Sequence, residues 1–128
     1  MKIIRNRFFP FDGFKAMNIF GVLFVKKGAL LNAKTLNHER IHSAQIQECM
    51  IGAFVLTSPL LFMGFWWITL LATAASFYLL YALEWVVKSI MGGKEAYYRL
   101  SFEREAYSNQ DNGAYLNDRK WWAWTKYL

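Results

Sequence analysis

The sequence predicts a mainly α-helical domain of α+β class, with a small β-hairpin or sheet at the N-terminus and a membrane-embedded helical hairpin. The chain has 128 residues, the length of one domain. Hydrophobic residues make up 55% and aromatic residues 19%, which excludes a disordered chain. No charged residue lies between Glu48 and Glu84, so the middle of the chain is uncharged over residues 49–83.

The first 31 residues favour β-structure. The segment 3–27 is rich in β-branched and aromatic residues, and Pro10 with Asp12-Gly13 predicts a turn within it. We expect a strand over about Phe14 to Val25, and Gly28 ends this β-rich segment.

Helices are predicted for most of the remaining chain. Asn32 or Thr35 is a suitable N-cap for the first of them, and Gly92-Gly93 is a stop signal for the second. The predicted helices span residues 33–56, 60–91 and 94–110, and a basic, aromatic tail covers residues 114–128.

The uncharged stretch predicts two short membrane spans rather than one. One span needs about 20 residues to cross the ~30 Å hydrocarbon layer, and the uncharged stretch is longer than one span. The turn is expected at residues 57–59, where Pro59 breaks the helix pattern, or near Gly64. Basic residues flank both ends, which by the positive-inside rule places both termini in the cytoplasm. They include Lys2, Arg5, Arg7, Lys15, Lys26, Lys27 and Lys34 before it, and Lys88, Lys94, Arg99, Arg104, Arg119, Lys120 and Lys126 after it.

Two other arrangements of this stretch are compatible with its composition. One is a buried helical hairpin in a soluble protein, and the other is a hairpin that only dips into the bilayer. Several tryptophans resemble interfacial anchors, with core packing as the alternative for each. They are Trp66, Trp67, Trp85, Trp121, Trp122 and Trp124.

Both histidines of the chain lie in one His-Glu-x-x-His motif. On a helix, residues four positions apart share a face, so His38 and His42 can hold one zinc ion. Glu39 lies beside them and can act as a general base on water. The motif therefore predicts a zinc site with hydrolytic chemistry, and two histidines without a metal are the alternative.

A second motif supplies a family resemblance. Residues 101–110 read Ser-Phe-Glu-Arg-Glu-Ala-Tyr-Ser-Asn-Gln, and Glu103-x-x-Ala106 resembles the E-x-x-A-[D/N] helix of gluzincins. These include integral-membrane heat-shock and CAAX-processing peptidases. The resemblance implies that Glu103 is the third zinc ligand. Glu105 points about 200° away on the helix, and Glu84 is an outside candidate. The chain is also similar to small bacterial membrane proteins with N-H-E-x-I-H and F-E-R-E-A-Y segments, and that similarity implies no substrate.

Tyr107 departs from the gluzincin pattern. Related peptidases have Asp or Asn there, a group that orients a histidine ligand. Gln45 and Asn109 are candidates to replace this group. Tyr107 shares the face of Glu103, so its hydroxyl is a candidate donor to an oxyanion, with a packed aromatic as the alternative.

The gluzincin resemblance also implies an edge strand beside the motif helix. We expect it over residues 19–25, where a peptide would add in extended form, with an ordinary sheet strand as the alternative.

The ligand set gives a separate test of topology. His38 and His42 precede the uncharged stretch and Glu103 follows it, so one zinc ion binds all three only if both flanks lie on one side of the membrane. The charge pattern independently predicts this.

These observations together predict a zinc metallopeptidase of the bacterial inner membrane that cleaves membrane-proximal peptide segments at the cytoplasmic surface. The alternative is a catalytically inactive zinc-binding protein or membrane adaptor whose metal is structural. The expected cofactor is Zn²⁺, and the expected partners are the lipid bilayer and a peptide or membrane-protein substrate.

Neither nucleic-acid binding nor cysteine chemistry is expected. The net charge of +6 and the tail over residues 118–126, with its interleaved aromatics and cations, are compatible with single-strand binding. An interfacial amphipathic segment is the preferred interpretation of the tail. Cys49 is the single cysteine, which excludes an intrachain disulfide, and we expect it to be a small buried hydrophobe.

Overall fold

A computed structural model describes residues 2–8, 16–92 and 96–128 of the chain. These residues are mainly helical and carry a small three-stranded sheet near the N-terminus, which confirms the predicted α+β class. The strands are β1 (Lys2–Asn6), β2 (Ala16–Ile19) and β3 (Val22–Lys26). The helices are α1 (Ala33–Thr57), α2 (Pro59–Phe62), α3 (Trp66–Gly92), α4 (Ser101–Asn109) and α5 (Tyr115–Asp118). Short 3₁₀ turns cover Tyr97–Arg99 and Ala123–Tyr127.

The central strand of the sheet is β3. It pairs in parallel with β1 and in antiparallel fashion with β2. The expected continuous strand up to Val25 is wrong, because the chain reverses at Phe20 and Gly21, which both have positive φ (49° and 76°). Two such residues in sequence form a tight hairpin turn, and glycine adopts this conformation without strain. The predicted turn at Pro10 and Asp12-Gly13 lies outside the described residues.

Helix α1 begins at the predicted N-cap. The Oδ1 atom of Asn32 accepts a hydrogen bond from the backbone N–H of Thr35 at 2.7 Å, which satisfies one free N–H of the first turn. The helix has 25 residues and is therefore about 37 Å long. It runs without interruption from the histidine motif into the uncharged stretch, as expected.

The second long helix is interrupted where one helix over residues 60–91 was expected. Helix α2 ends at Phe62, and α3 begins only at Trp66. Gly64 between them has a φ of 83°, a left-handed conformation that ends helices. Pro59 occupies the first turn of α2, where its missing N–H costs nothing. The helical segments are thus separated at both expected turn positions, residues 57–59 and Gly64.

Helices α1 and α3 pack as an antiparallel pair. The hydroxyl of Thr69 near the start of α3 donates to the carbonyl oxygen of Thr57 at the end of α1, at 3.0 Å. Two to three turns further along, Phe77 joins a core cluster with Ile46 and Cys49. Cys49 is a free, buried cysteine, as predicted. The antiparallel pairing returns the chain to the level of the histidine motif.

Helix α3 is long and apolar enough to cross a membrane. The segment Trp66–Met91 has 26 residues, and only 6% of its most apolar window is buried within the protein. Its length of about 39 Å exceeds the ~30 Å thickness of a hydrocarbon layer. The exposed large side chains extend along the whole helix: Trp66, Trp67, Leu70, Leu71, Leu79, Leu80, Leu83, Trp85, Val86, Val87, Ile90 and Met91.

Helix α4 begins at Ser101, later than the predicted residue 94, and residues 93–95 lie outside the described part of the chain. The backbone N–H and the hydroxyl of Ser101 donate to the carboxylate of Glu84, at 2.8 and 2.7 Å. A carboxylate in this position satisfies a free N–H and complements the helix dipole. Lys88 pairs with the same carboxylate at 2.7 Å. Glu84 is therefore a helix cap supplied by α3.

The C-terminal tail packs against α1 and α4. Trp124 is 9% exposed, and its ring centroid lies 4.4 Å from that of Phe102. For Trp124 the core-packing alternative is therefore correct. Trp122 packs on Gly52 of α1, whereas Trp121 is exposed.

Gly52 allows Trp122 to approach α1 closely. A Cβ atom at position 52 would lie 2.8 Å from Cη2 of Trp122. We expect Gly52→Ala to destabilise the protein by about 1–3 kcal/mol through overpacking, partly offset by the ~1 kcal/mol that alanine adds to helix propensity. Thermal unfolding in detergent measures this change. Gly113→Ala is the control, because nothing lies within 4 Å of its added Cβ. Equal melting temperatures for the two variants would contradict the predicted contact.

Candidate metal centre

Three predicted ligands meet where α1 crosses α4. His38 and His42 lie one turn apart on α1, and Glu103 lies in the first turn of α4. All three side chains are buried. The two Nε2 atoms are 3.0 Å apart, and each lies 3.4 Å from one oxygen of Glu103. The structure therefore brings the three residues together as one group that could hold a metal ion.

The spacing of these atoms suits a zinc ion. A tetrahedral zinc with bonds of about 2.0–2.1 Å to nitrogen and oxygen separates its ligand atoms by about 3.3 Å. The Oε2 atom of Glu103 is buried and has no hydrogen-bond partner among the described residues. A buried carboxylate oxygen without a partner is costly, and a cation between Glu103 and the histidines would satisfy it.

The group supplies three candidate ligands. Over residues 2–8, 16–92 and 96–128, no other His, Cys, Asp or Glu joins the three ligands. Three protein ligands with one open position are typical of catalytic zinc sites, whereas structural sites have four. Glu39 follows His38 directly in α1 and is partly buried beside the group.

Gln45 determines which nitrogen of His42 faces the centre. The Nε2 atom of Gln45 donates to the carbonyl oxygen of Phe102 at 3.0 Å and to Oε2 of Glu105 at 2.9 Å. Its Oε1 atom therefore faces Nδ1 of His42, at 2.7 Å. Because an amide oxygen only accepts, Nδ1 carries a proton, and in the neutral imidazole the lone pair that a metal requires is therefore on Nε2. Of the two candidates for the missing Asp or Asn, Gln45 makes this contact.

The other candidates have different partners. The amide of Asn109 donates to the carbonyl oxygen of Glu105 at 2.8 Å and to the hydroxyl of Tyr127 at 3.1 Å. Glu105 is fully buried and pairs with Arg119. Glu84 caps α4, as described above. Neither of these carboxylates belongs to the histidine group.

Tyr81 is a site residue that the sequence analysis missed. Its hydroxyl donates to Oε1 of Glu103 at 2.9 Å and so orients the third ligand. Tyr81 lies within the uncharged stretch, where aromatic residues are expected for membrane reasons alone. Only the packing of α3 against α4 reveals this contact.

The edge strand beside the motif helix is β2. The side-chain amide of Asn18 in β2 donates to the carbonyl oxygen of Glu39 at 2.7 Å and to the hydroxyl of Ser43 at 2.8 Å. The expectation of an edge over residues 19–25 is wrong, because β3 in this range is paired on both sides. Among residues 2–8, 16–92 and 96–128, the sheet edge nearest the motif is β2, residues 16–19.

Tyr107 packs on His38, one of the predicted ligands. Its ring centroid lies 4.7 Å from that of His38 at an interplanar angle of 64°, and 5.6 Å from that of Tyr98. This contact is the packed-aromatic alternative. Donation by the Tyr107 hydroxyl to an oxyanion stays a prediction.

Neighbouring charges shift the pKa values at the centre. Burial lowers the pKa of His42, but the nearby Glu103 carboxylate outweighs this effect and raises the pKa to about 9. Burial raises the pKa of Glu103, but His38 and His42 bring it well below its usual range. Burial raises the pKa of Glu39, although the two histidines oppose the shift. The Glu103 carboxylate and the His42 imidazole thus each favour the charged form of the other.

No protein-family model, curated protein or solved structure matches this chain. The class of the site is therefore defined by its geometry alone. Two imidazoles and one carboxylate lie together on two packed helices, and Glu39 lies beside them.

Proposed function

We propose that the chain is a membrane-associated zinc metallopeptidase of the gluzincin type. It hydrolyses peptide bonds near the cytoplasmic surface of the bacterial inner membrane. The observation that carries this proposal is the convergence of His38, His42 and Glu103 at separations of 3.0–3.4 Å. The position of Glu39 next to the ligands adds the base that a hydrolase requires.

The proposed chemistry assigns a role to each residue. His38, His42 and Glu103 hold the zinc ion, which when bound acidifies a water molecule and polarises the substrate carbonyl. Glu39 takes the proton of the water and passes it to the leaving amine. Its burial-raised pKa suits a group that must both accept and release a proton. Tyr107 donates to the oxyanion.

Strand β2 provides the place for the substrate backbone. Its outer edge is free in the described part of the chain, and Asn18 ties this strand to the carbonyl oxygen of Glu39. An extended peptide can pair with such an edge through backbone hydrogen bonds. The scissile bond would then lie close to Glu39.

The apolar surface supports a membrane location for the site. We propose that α3 and the second half of α1 form a hairpin whose flanks are both cytoplasmic. If Trp66 marks one boundary of the hydrocarbon, roughly 30 Å at 1.5 Å per residue reaches about residue 86. Tyr81, which contacts Glu103, then lies roughly 8 Å inside the cytoplasmic boundary. Membrane-proximal segments of other proteins are the substrates that reach this depth.

Burial of the ligands favours a second candidate function. His38 and His42 are each 8% exposed and Glu103 is 3% exposed, so access to the centre is narrow. A zinc-binding adaptor whose metal is structural would have this property. The two candidates differ in turnover and not in metal content.

Metal analysis and a cleavage assay on the same nanodisc-reconstituted protein test the proposal. We expect about one zinc per chain and chelator-sensitive cleavage of a membrane-protein substrate panel, with both lost in His42→Ala. Gln47→Ala is the matched control, because Gln47 is exposed on the same helix. Zinc without cleavage would support the adaptor. Absence of zinc after zinc addition would overturn both candidates.

A further inference from the structure

A buried ionic cluster of Glu48, Glu105 and Arg119 lies behind the candidate metal centre. The guanidinium of Arg119 donates to both carboxylates, with Nη2 3.0 Å from Oε2 of Glu48 and Nε 2.6 Å from Oε1 of Glu105. The three side chains are 0–5% exposed. The hydroxyl of Tyr115 and the backbone N–H of Trp122 also donate to the cluster, each at 2.9 Å. The cluster thus joins α1, α4 and the tail.

The stability of the fold is a weak explanation for such a cluster. Each buried ion loses several kcal/mol of hydration, and apolar residues of similar volume often serve a core equally well. The contacts of Glu105 indicate a different role. Its Oε2 atom accepts from Gln45, whose Oε1 accepts from Nδ1 of His42. A chain of hydrogen bonds therefore connects Arg119 to a predicted zinc ligand.

The carboxylate of Glu105 allows only one orientation of the Gln45 amide. The two ends of an amide have nearly the same shape, so contacts decide which way it points. If the amide rotated by 180°, its oxygen would face the Glu105 carboxylate, and two acceptors would oppose each other. Its NH₂ group would then donate to Nδ1 of His42, and the ring proton would move to Nε2. That is the nitrogen that faces the metal position.

We propose that Arg119 is a positioning residue for the zinc centre, because it holds Glu105 and thereby fixes the Gln45 amide that keeps Nε2 of His42 free. This inference rests on the proposed zinc site. It gives the C-terminal tail a part in a site that α1 and α4 form, and it concerns zinc affinity rather than peptide cleavage.

A mutant cycle in zinc affinity tests this role. We expect Arg119→Met to weaken zinc binding by up to about 10–100-fold, the usual cost of losing an outer-shell partner, which here is Gln45 itself. In a Gln45→Ala background, the same substitution should have no further effect on zinc binding, because its route to His42 is already cut. Chelator competition gives the affinity, and thermal unfolding of the metal-free protein gives the stability separately.

Glu105→Gln is a second variant that keeps the Arg119–Glu48 pair and nearly the same shape. In this variant the side-chain oxygen at position 105 is expected to face Arg119 and Tyr115, so the NH₂ group at that position faces Gln45. This arrangement favours the rotated orientation of the Gln45 amide. We expect a similar loss of zinc affinity, again absent in the Gln45→Ala background.

Arg104→Met is the matched control for Arg119→Met. Arg104 also contacts the tail, by donating to the carbonyl oxygen of Tyr127, but none of the described hydrogen bonds connects it to Gln45. Its zinc affinity should equal that of the wild type.

The outcomes separate this inference from the proposed function. If the wild type binds zinc and neither Arg119→Met nor Glu105→Gln weakens it, the positioning role is wrong and the zinc site stands. Additive losses in the Gln45→Ala background would show a general structural effect and would also overturn the role. The expected coupling without any peptide cleavage would support the positioning role and contradict the peptidase. A wild type without zinc would overturn both.

Discussion

Glu39→Gln is expected to retain zinc and to lower kcat by about 10²–10⁴-fold, the usual contribution of a general acid–base group. The amide has the same shape as the carboxylate but cannot accept the proton of water at neutral pH. The backbone oxygen of Glu39, which accepts from Asn18, is unchanged by the substitution. Zinc content and single-turnover cleavage, measured on the same preparation, report the two effects separately.

Asp111→Asn is the matched control for this variant. It removes one negative charge from an exposed pair with Lys34 at the start of α1, outside the buried histidine group. Wild-type turnover is expected for the control. If Glu39→Gln cleaved substrate at the wild-type rate, Glu39 would not be the base and the hydrolase mechanism would have to be abandoned.

The sequence could predict which three residues form the candidate metal centre because each is part of a short local pattern. His38 and His42 are four residues apart, and a helix of any protein places such residues on one face. The gluzincin resemblance selected Glu103, and helical periodicity added that Glu103 and Glu105 cannot both face one metal ion. In the structure Glu105 pairs with Arg119. A contact between α1 and α4 was also predictable, because the predicted hairpin brings the chain back to the side of the membrane from which it entered.

The outer contacts of the site could not be predicted in this way. Tyr81 lies 22 residues from Glu103, and Arg119 lies 71 residues from Glu48. No local spacing relates the members of these pairs, so only tertiary packing joins them. Composition was also misleading for the tail, where Trp124 lies next to cations typical of an interface yet packs on Phe102. A single aromatic residue is suited equally to a membrane interface and to a core.

The β-segment shows a different reason for failure. An uninterrupted strand was expected because the segment from Phe14 to Val25 is rich in β-branched and aromatic residues. The turn at Phe20 and Gly21 uses a bulky residue at positive φ, which sequence rules for turns do not anticipate. The position of this turn makes β2 an edge strand of the described sheet, which is the edge that the proposed function uses. The backbone N–H of Phe20 donates to the hydroxyl of Tyr78 at 3.0 Å, so α3 holds this turn.

Removal of Glu103 is expected to have the second large effect. Glu103→Gln should weaken zinc binding by more than the about 10–100-fold that loss of an outer-shell partner costs, because it replaces a ligand itself. Glu84→Gln is the matched control, since it makes the same chemical change in the neighbouring helix. That variant should keep zinc at wild-type affinity and lose up to about 1 kcal/mol of stability through the weakened cap of α4. Chelator competition and thermal unfolding measure the two quantities.

Zinc lost in Glu84→Gln and kept in Glu103→Gln would reverse the roles of the two carboxylates. The structure opposes that result, because Ser101 and Lys88 already occupy the Glu84 carboxylate, whereas Oε2 of Glu103 has no described hydrogen-bond partner.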